Sequence, residues 1–294
     1  MNGSSESMME RVDLILYSLT IILSVFQLFV SLYIFIMMIQ HRGSLREYRI
    51  DYLLFGTTYL TLIFVAIFFI DMCAYSIVGH LNPSVTFDGF WCRMKAYLMY
   101  GAGCTFFHSF LLQAFYRLNR ILYQNKHKSQ SFRFYVILSI SIWIIVYIEL
   151  IPSFVIGDIE YIVSEHHCQF AFTNVRGSIV VCTVGFFVPF SLTMFCYLWT
   201  MLKIHQQSAA LMMINRSHMM RRDILILKRL VILLTFVTFV AAPHVIFPVV
   251  VAFDGFLPGW LFSLEWLLTA LALVSVSIVL IFVSTHLKKI CVEV

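Results

Sequence analysis

The sequence predicts an all-α integral membrane protein, a bundle of seven transmembrane helices with an extracellular N-terminus and a cytoplasmic C-terminus. Three observations lead there. Apolar runs such as Val136–Tyr147 and Leu225–Val251 proceed almost without charge, at lengths comparable with the ~20 residues that cross a bilayer. The chain is 61% hydrophobic and 12% charged, with a mean hydropathy of +0.90; soluble domains carry about 25% charge. The basic residues alternate from loop to loop. A buried core helix would still turn a polar face to water every three to four residues, and these runs do not.

The spans fall at roughly 13–40, 50–78, 92–122, 132–156, 176–203, 222–251 and 261–286. Residues 1–12 form an outer tail, 13–286 the bundle and 287–294 a short cytoplasmic tail. Met1 to Arg11 lack a basic region and a small-residue cleavage site, so the first span is expected to act as its own insertion signal. Several spans exceed the bilayer minimum and so tilt or extend beyond the lipid. They are too long and too evenly apolar for the alternating strands of a barrel.

Of the 20 Lys and Arg residues, only Arg11, Arg93, Lys95 and Arg176 fall on the side of the N-terminal tail. The rest follow spans 1, 3 and 5 or close the chain at Lys288 and Lys289. The basic side of a membrane protein is cytoplasmic, and an even number of spans would break the alternation. These loops read as topology and contact with anionic lipid, not as a nucleic-acid surface.

Four of the seven cysteines, Cys73, Cys104, Cys182 and Cys196, lie inside spans and read as small apolar residues. Cys92 opens span 3 and Cys168 lies in the loop after span 4. Both face an oxidising compartment, where a bridge can persist. It would pin that loop across the mouth of the bundle.

Several landmarks now resemble the rhodopsin-like (class A) G-protein-coupled receptors. Trp91-Cys92 opens span 3 and Arg117 closes it 25 residues later; Trp143 and Pro152 lie in span 4. Pro189 precedes Tyr197 by eight residues in span 5, and Asp223 precedes Pro243 by 20 in span 6. The resemblance covers spans 3 to 6, and the chain looks like a divergent member. Where the family has Asp-Arg-Tyr it reads Tyr116-Arg117-Leu118, and Val240-Ala241-Ala242-Pro243 lacks the family's tryptophan. Span 7 reads Ser277-Ile278-Val279-Leu280-Ile281 in place of Asn-Pro-x-x-Tyr, span 1 has no asparagine, and mid-span 2 has Thr61 or Val65 in place of the aspartate.

The resemblance implies a receptor that binds an extracellular ligand and signals to a heterotrimeric G protein. An arginine at an inner helix end can simply snorkel to water. The sharper expectation pairs Arg117 with Asp223, so that the pair closes the cytoplasmic face and Asp223→Asn raises basal signalling. Pro243 would make span 6 a lever whose inner half swings outward, with Tyr197 beside it. Prolines at 152, 189, 243 and 248 are also common packing features of polytopic proteins.

Ionisable residues inside spans point to sites: Asp71, His108, Glu149, His244 and Glu265. His108 and Glu149 read as packing groups. By resemblance Met99, Tyr100, Gly103 and His244 line a ligand cavity, with Asp71 and Glu265 near the outer ends of spans 2 and 7. Met99 stands where amine receptors carry an aspartate, and Leu271 where opsins carry the retinal lysine, so neither ligand type is expected. The ligand remains open between a small molecule and a peptide, with no cofactor or metal. His166-His167 reads as surface. No HExxH, Gly-rich phosphate loop or Gly-x-Ser-x-Gly is present, so no enzyme is expected.

Smaller signals are a sequon at Asn2-Gly3-Ser4, a second at Asn215-Arg216-Ser217 on the cytoplasmic side, and Cys291 as a palmitoylation site after Lys288-Lys289. The location implied is the plasma membrane. The rival readings are a transporter or channel, for which inverted repeats or midplane acid–base chains are wanting, and a seven-helix chemoreceptor that does not use G proteins.

Overall fold

The computed structural model describes residues 3–41, 49–122, 131–171, 174–208, 214–254 and 258–283, with the backbone alone at 3–9, 204–208, 214–223 and 254. The side chains of Asp223 and of both sequons, the tail 287–294 with Cys291, and the loop residues 42–48 and 123–130 lie outside that description.

Helices α1 (Gly3–His41), α2 (Arg49–Leu81), α3 (Phe90–Leu122) and α4 (Phe132–Ile156) follow in order. A hairpin of β1 (Ile159–Ile162) and β2 (His167–Phe170) comes next, pairing antiparallel with Tyr161 opposite Cys168. Span 5 is α5 (Val175–Cys182), a π-turn (Thr183–Phe187) and α6 (Val188–Ser208); span 6 is α7 (Ile214–Val240) with α8 (Pro243–Asp254); α9 (Trp260–Val283) is last. Helix α1 begins at Gly3, so it runs through most of the segment read as a tail.

Six of these stretches are long and apolar enough to cross a membrane: Glu10–His41, Arg49–Leu81, Phe132–Ile156, Val175–Lys203, Ile224–Phe253 and Trp260–Val283. Helix α3 equals α2 in length at 33 residues but falls short in apolarity, carrying Arg93, Lys95, His108, Gln113, Arg117, Asn119 and Arg120. Its place explains the difference. It packs against α2, α4, α6, α7, the π-turn and both strands, so Gln113, Arg117 and Asn119 are buried against protein where the polar groups of a peripheral helix would meet lipid.

The burial pattern suits an apolar solvent. Phe26, Phe29, Ile137, Ile144, Ile148 and Val155 are exposed, while Ser24, Gln27, Thr58, Ser109 and Gln113 are buried. With apolar groups equally content in lipid, helices associate through close packing and interhelical hydrogen bonds. Gln27 Nε2 donates to the Leu62 carbonyl at 2.9 Å, joining α1 to α2. Thr58 Oγ1 donates to Ser109 Oγ and accepts from Gln113 Nε2, both at 2.8 Å, joining α2 to α3. The Tyr59 hydroxyl reaches the Ser277 carbonyl at 3.0 Å and ties α2 to α9.

The interruptions have local causes. Helix α4 ends at Gly157, whose φ of 88° lies in the left-handed region. The next amide, Asp158 N–H, donates back to the Ser153 carbonyl at 2.9 Å, a Schellman-type close. Asn174 caps α5 by accepting from Gly177 N–H at 3.2 Å. Pro189 has no N–H for the Gly185 carbonyl four residues back, and the chain widens into the π-turn just before it. Pro243 likewise leaves the Phe239 carbonyl without its usual donor. The carbonyl accepts instead from Ala242 N–H at 3.3 Å, and Ala241–Ala242 form a turn between α7 and α8.

Candidate functional site

Helix α3 carries a cavity near one end and a buried ion pair at the other. At the Cys92 end, a disulfide joins Cys92 to Cys168 of β2, with Cα atoms 5.6 Å apart and 76 residues between them. The bridge ties the hairpin to α3, where Ile159, Cys168 and Phe170 pack on Ala96.

The hairpin sits on a polar layer. Glu165 is buried, and the Tyr17 hydroxyl of α1 donates to its Oε2. Burial raises the Glu165 carboxyl to about 7, against the lowering effect of Tyr17 and with help from Asp13. Asp13 accepts from Ser263 of α9 at 2.7 Å. His167 bonds Ser76 of α2 at 2.9 Å, and burial lowers its imidazole to about 4. The surface reading of this histidine therefore fails: the hairpin turns it inward, and only His166 stays partly exposed. His166 holds the positive φ of 56° at the turn. Its ring occupies the space that a Cβ on Gly79 would take, 2.2 Å from that position. Asp158 anchors the far side of the hairpin to α5. Burial alone would raise its carboxyl, but hydrogen bonds from Arg176 and Asn174 leave it below the usual range.

Beneath the hairpin lies a cavity of about 390 Å³, lined from α2, α3, β2, α5, the π-turn, α7, α8 and α9. Its walls are mostly aromatic and aliphatic. Met99, Tyr100, Gly103 and His244 all line it, so four of the six expected ligand residues meet there. Glu265 is buried behind the wall on α9, and its carboxylate contacts His244 Nδ1. On the other ring edge, His244 Nε2 lies 2.8 Å from Thr269 Oγ1. The Trp266 ring meets His244 edge-on at 5.3 Å. Helix α3 can approach the π-turn because residue 185 is glycine: a Cβ there would sit 2.6 Å from Cys104 Sγ.

Asp71 belongs elsewhere. It lines a smaller neighbouring cavity of about 110 Å³ between α2, α3 and β2, where Lys95 Nζ donates to it at 2.9 Å and to Tyr75 at 3.0 Å. Met99 lines both cavities. Of the other polar residues, His108 bonds its own helix at the Cys104 carbonyl, 2.9 Å away, and Glu149 is exposed on α4.

At the opposite end of α3, Arg117 is only 3% exposed. Its guanidinium lies 2.5 Å from Asp51 Oδ1 in the first turn of α2, and Arg120 lies 3.9 Å from Asp51 Oδ2. A carboxylate in that first turn also meets the positive end of the helix dipole. Tyr116 stacks edge-on with Tyr135 at 5.1 Å beside it. Tyr197 packs with Ala114, Leu118, Cys196 and Leu227, between α3 and α7. Pro243 opens α8 at the helix break.

Among the described residues Arg117 pairs with Asp51, an acid that the sequence reading did not single out; the expected partner Asp223 has its side chain outside the described residues. An acid three residues into a span that follows a basic loop was the available signal. Thr269 and Trp266 were also missed; their place beside His244 depends on how α8 and α9 pack. No family model matches the chain, and no curated protein matches it.

Proposed function

We propose that the chain is a rhodopsin-like seven-helix receptor of the plasma membrane, with α3 as its seventh span and the hairpin outside. A ligand enters the 390 Å³ cavity beneath the disulfide-tethered hairpin and alters how α8 and α9 meet at His244. The break at Ala241–Ala242 lets α7 move separately from α8. Its movement opens the cytoplasmic end around Arg117 to a heterotrimeric G protein.

One observation carries this reading. A single helix, α3, lines an apolar cavity near its Cys92 end and buries an ion pair at its Arg117 end. Charges buried at a helix end are held in one arrangement while paired, and become available when packing shifts. The landmarks from Cys92 to Pro243 agree with it in order and spacing.

The test is nucleotide exchange on a panel of co-expressed G proteins. Receptor-dependent exchange on at least one of them, lost in Arg117→Ala at equal surface expression, is the expected result. Exchange that Arg117→Ala leaves intact would remove the proposed coupling site.

A further inference from the structure

We propose that the larger cavity opens sideways into the bilayer, between the π-turn and the Ala241–Ala242 break, and takes a rigid, uncharged ring compound that arrives dissolved in lipid. This rests on the reading of the cavity as the ligand site and adds the route and chemical class of its ligand.

The hairpin side is shut. Strand β2 buries all four of its residues, and Phe170, only 4% exposed, closes the cavity from above. Trp266 and Met99 are as deeply buried in its lining. Met99 also lines the smaller cavity and so stands between the two.

The side between spans 5 and 6 is built differently. Their backbones pack at two levels. Above, α5 packs on α8, and Cys182 Sγ donates to the His244 carbonyl at 3.9 Å. Below, α6 packs on α7. Between these levels lie both interruptions, the π-turn Thr183–Phe187 on one side and the turn at Ala241–Ala242 on the other. The π-turn packs on α3, α5 and α6, not across the gap. Phe186 and Phe187 line the cavity from one edge of that gap, and Thr238, Ala241 and Ala242 from the other. Phe187 is 48% exposed although it lines the cavity, and the two alanines offer one methyl each. Ala241 lies 12 residues before the outer end of Ile224–Phe253, or roughly 18 Å at ~1.5 Å per residue. In a hydrocarbon layer ~30 Å thick that is near the middle, so the gap meets lipid.

The wall then selects what can enter. Among the described residues its lining holds no Asp, Glu, Lys or Arg, so a charged group would lose its solvation without a partner. A molecule leaving lipid gains nothing from the hydrophobic effect, since hydrocarbon already surrounds it. Its preference for the cavity must come from contact. Phe69 meets Trp266 edge-on at 5.3 Å and Phe107 meets Phe186 edge-on at 5.7 Å, and all four rings line the cavity. A rigid aromatic body can stack with such rings, whereas an acyl chain would first lose its rotational freedom.

The experiment uses the full chain in lipid nanodiscs and four tritiated probes: 9-methylanthracene, 9-anthracenecarboxylate, 9-anthracenylmethylamine and n-pentadecane. Binding is read by scintillation proximity, with empty nanodiscs as the partition blank and affinity expressed per probe dissolved in the bilayer. 9-Methylanthracene is expected to bind at least about tenfold more tightly than each of the others. Any of the three that matches it would overturn the class, as would no binding by 9-methylanthracene. The route is read from its rates. Phe187→Ala should speed association and dissociation together by at least about threefold, and Ala242→Trp should slow both, whereas altering a wall contact acts mainly on dissociation. Rates equal to wild type in Phe187→Ala would overturn the sideways opening, whether or not Ala242→Trp folds. Gly103→Phe supplies the separate control, because Gly103 lines the cavity and a Cβ there meets nothing within 4 Å. Binding of 9-methylanthracene that survives Gly103→Phe would place the probe outside the cavity and defeat the cavity reading itself.

Discussion

Replacing Asp51 with asparagine removes the carboxylate that Arg117 holds at 2.5 Å, while keeping shape and one acceptor. Both side chains are nearly inaccessible, at 3% and 6%, so the remaining guanidinium charge cannot reach water without movement. Breaking a buried pair by removing one partner costs about 3–5 kcal/mol. The lower end, about 3 kcal/mol, applies here because asparagine can still accept a hydrogen bond. If the pair is made only in the closed state, that loss shifts the closed–open balance roughly 150-fold, at tenfold per ~1.4 kcal/mol. A receptor open about 1% of the time would then be open roughly 60% of the time. The assay is basal GDP–GTP exchange on reconstituted G protein, with receptor quantity fixed by surface labelling. A well-expressed Asp51→Asn protein with wild-type basal exchange would refute the reasoning. A protein with lowered melting temperature and unchanged exchange would make the pair a packing element only.

Three further outcomes follow from the geometry. Replacing Cys92 and Cys168 together by serine frees the hairpin and should cost about 2–5 kcal/mol of stability, read as a lowered melting temperature; an unchanged value would mean that packing on Ala96 holds the hairpin alone. Gly185→Ala pushes a methyl to within 2.6 Å of Cys104 Sγ and should cost about 1–3 kcal/mol, with partial rescue by Cys104→Ala; additive losses in the double-mutant cycle would show that the two sites do not meet. Glu165 and His167 give opposed pH dependences. A carboxyl raised from 4.5 to about 7 favours the folded state at low pH, so its contribution falls as pH rises through that window. An imidazole lowered from 6.5 to about 4 does the reverse, and its contribution falls as pH drops through that range. Glu165→Gln should therefore remove the wild-type loss of melting temperature as pH rises from about 4.5 to 7, and His167→Asn the loss as pH falls from about 6.5 to 4; parallel profiles in wild type and both variants would contradict the assignment.

The helices were legible because a bilayer imposes a simple demand. A chain that crosses it must be apolar over a fixed length, and α1, α2, α4 and α9 announce themselves by that alone. Helix α3 reads as a span like the others, but its apolarity is the weakest of them, and its polar residues make sense only once it is seen packed against α2, α4, α6 and α7. The breaks before Pro189 and at Pro243 were half legible: proline signals a missing donor, but whether the chain answers with a π-turn or a split helix depends on its neighbours. The hairpin left little trace, since two four-residue strands form no pattern that survives a loop of mixed residues. His167 looked exposed for that reason.

The candidate site shows the same division. Met99, Tyr100, Gly103 and His244 share one cavity, which their spacing along α3 and beside Pro243 implied through the receptor resemblance. Asp71 and Glu265 were both read as outer acids, yet Lys95 draws Asp71 into a separate cavity while Glu265 turns inward to His244. Local sequence does not distinguish these cases, because each acid's partner comes from another helix. Asp51 is the instructive omission. Its helix begins after a basic loop, and its carboxylate becomes meaningful only when α2 and α3 are placed side by side.

The receptor account depends on α3 crossing the membrane, since six crossings would return both ends of the chain to one side. Glycosylation acceptor sites placed in short extensions at each terminus measure this directly in cells. The account predicts that the N-terminal acceptor is modified and the C-terminal one is not. Modification at both ends, or at neither, would contradict it.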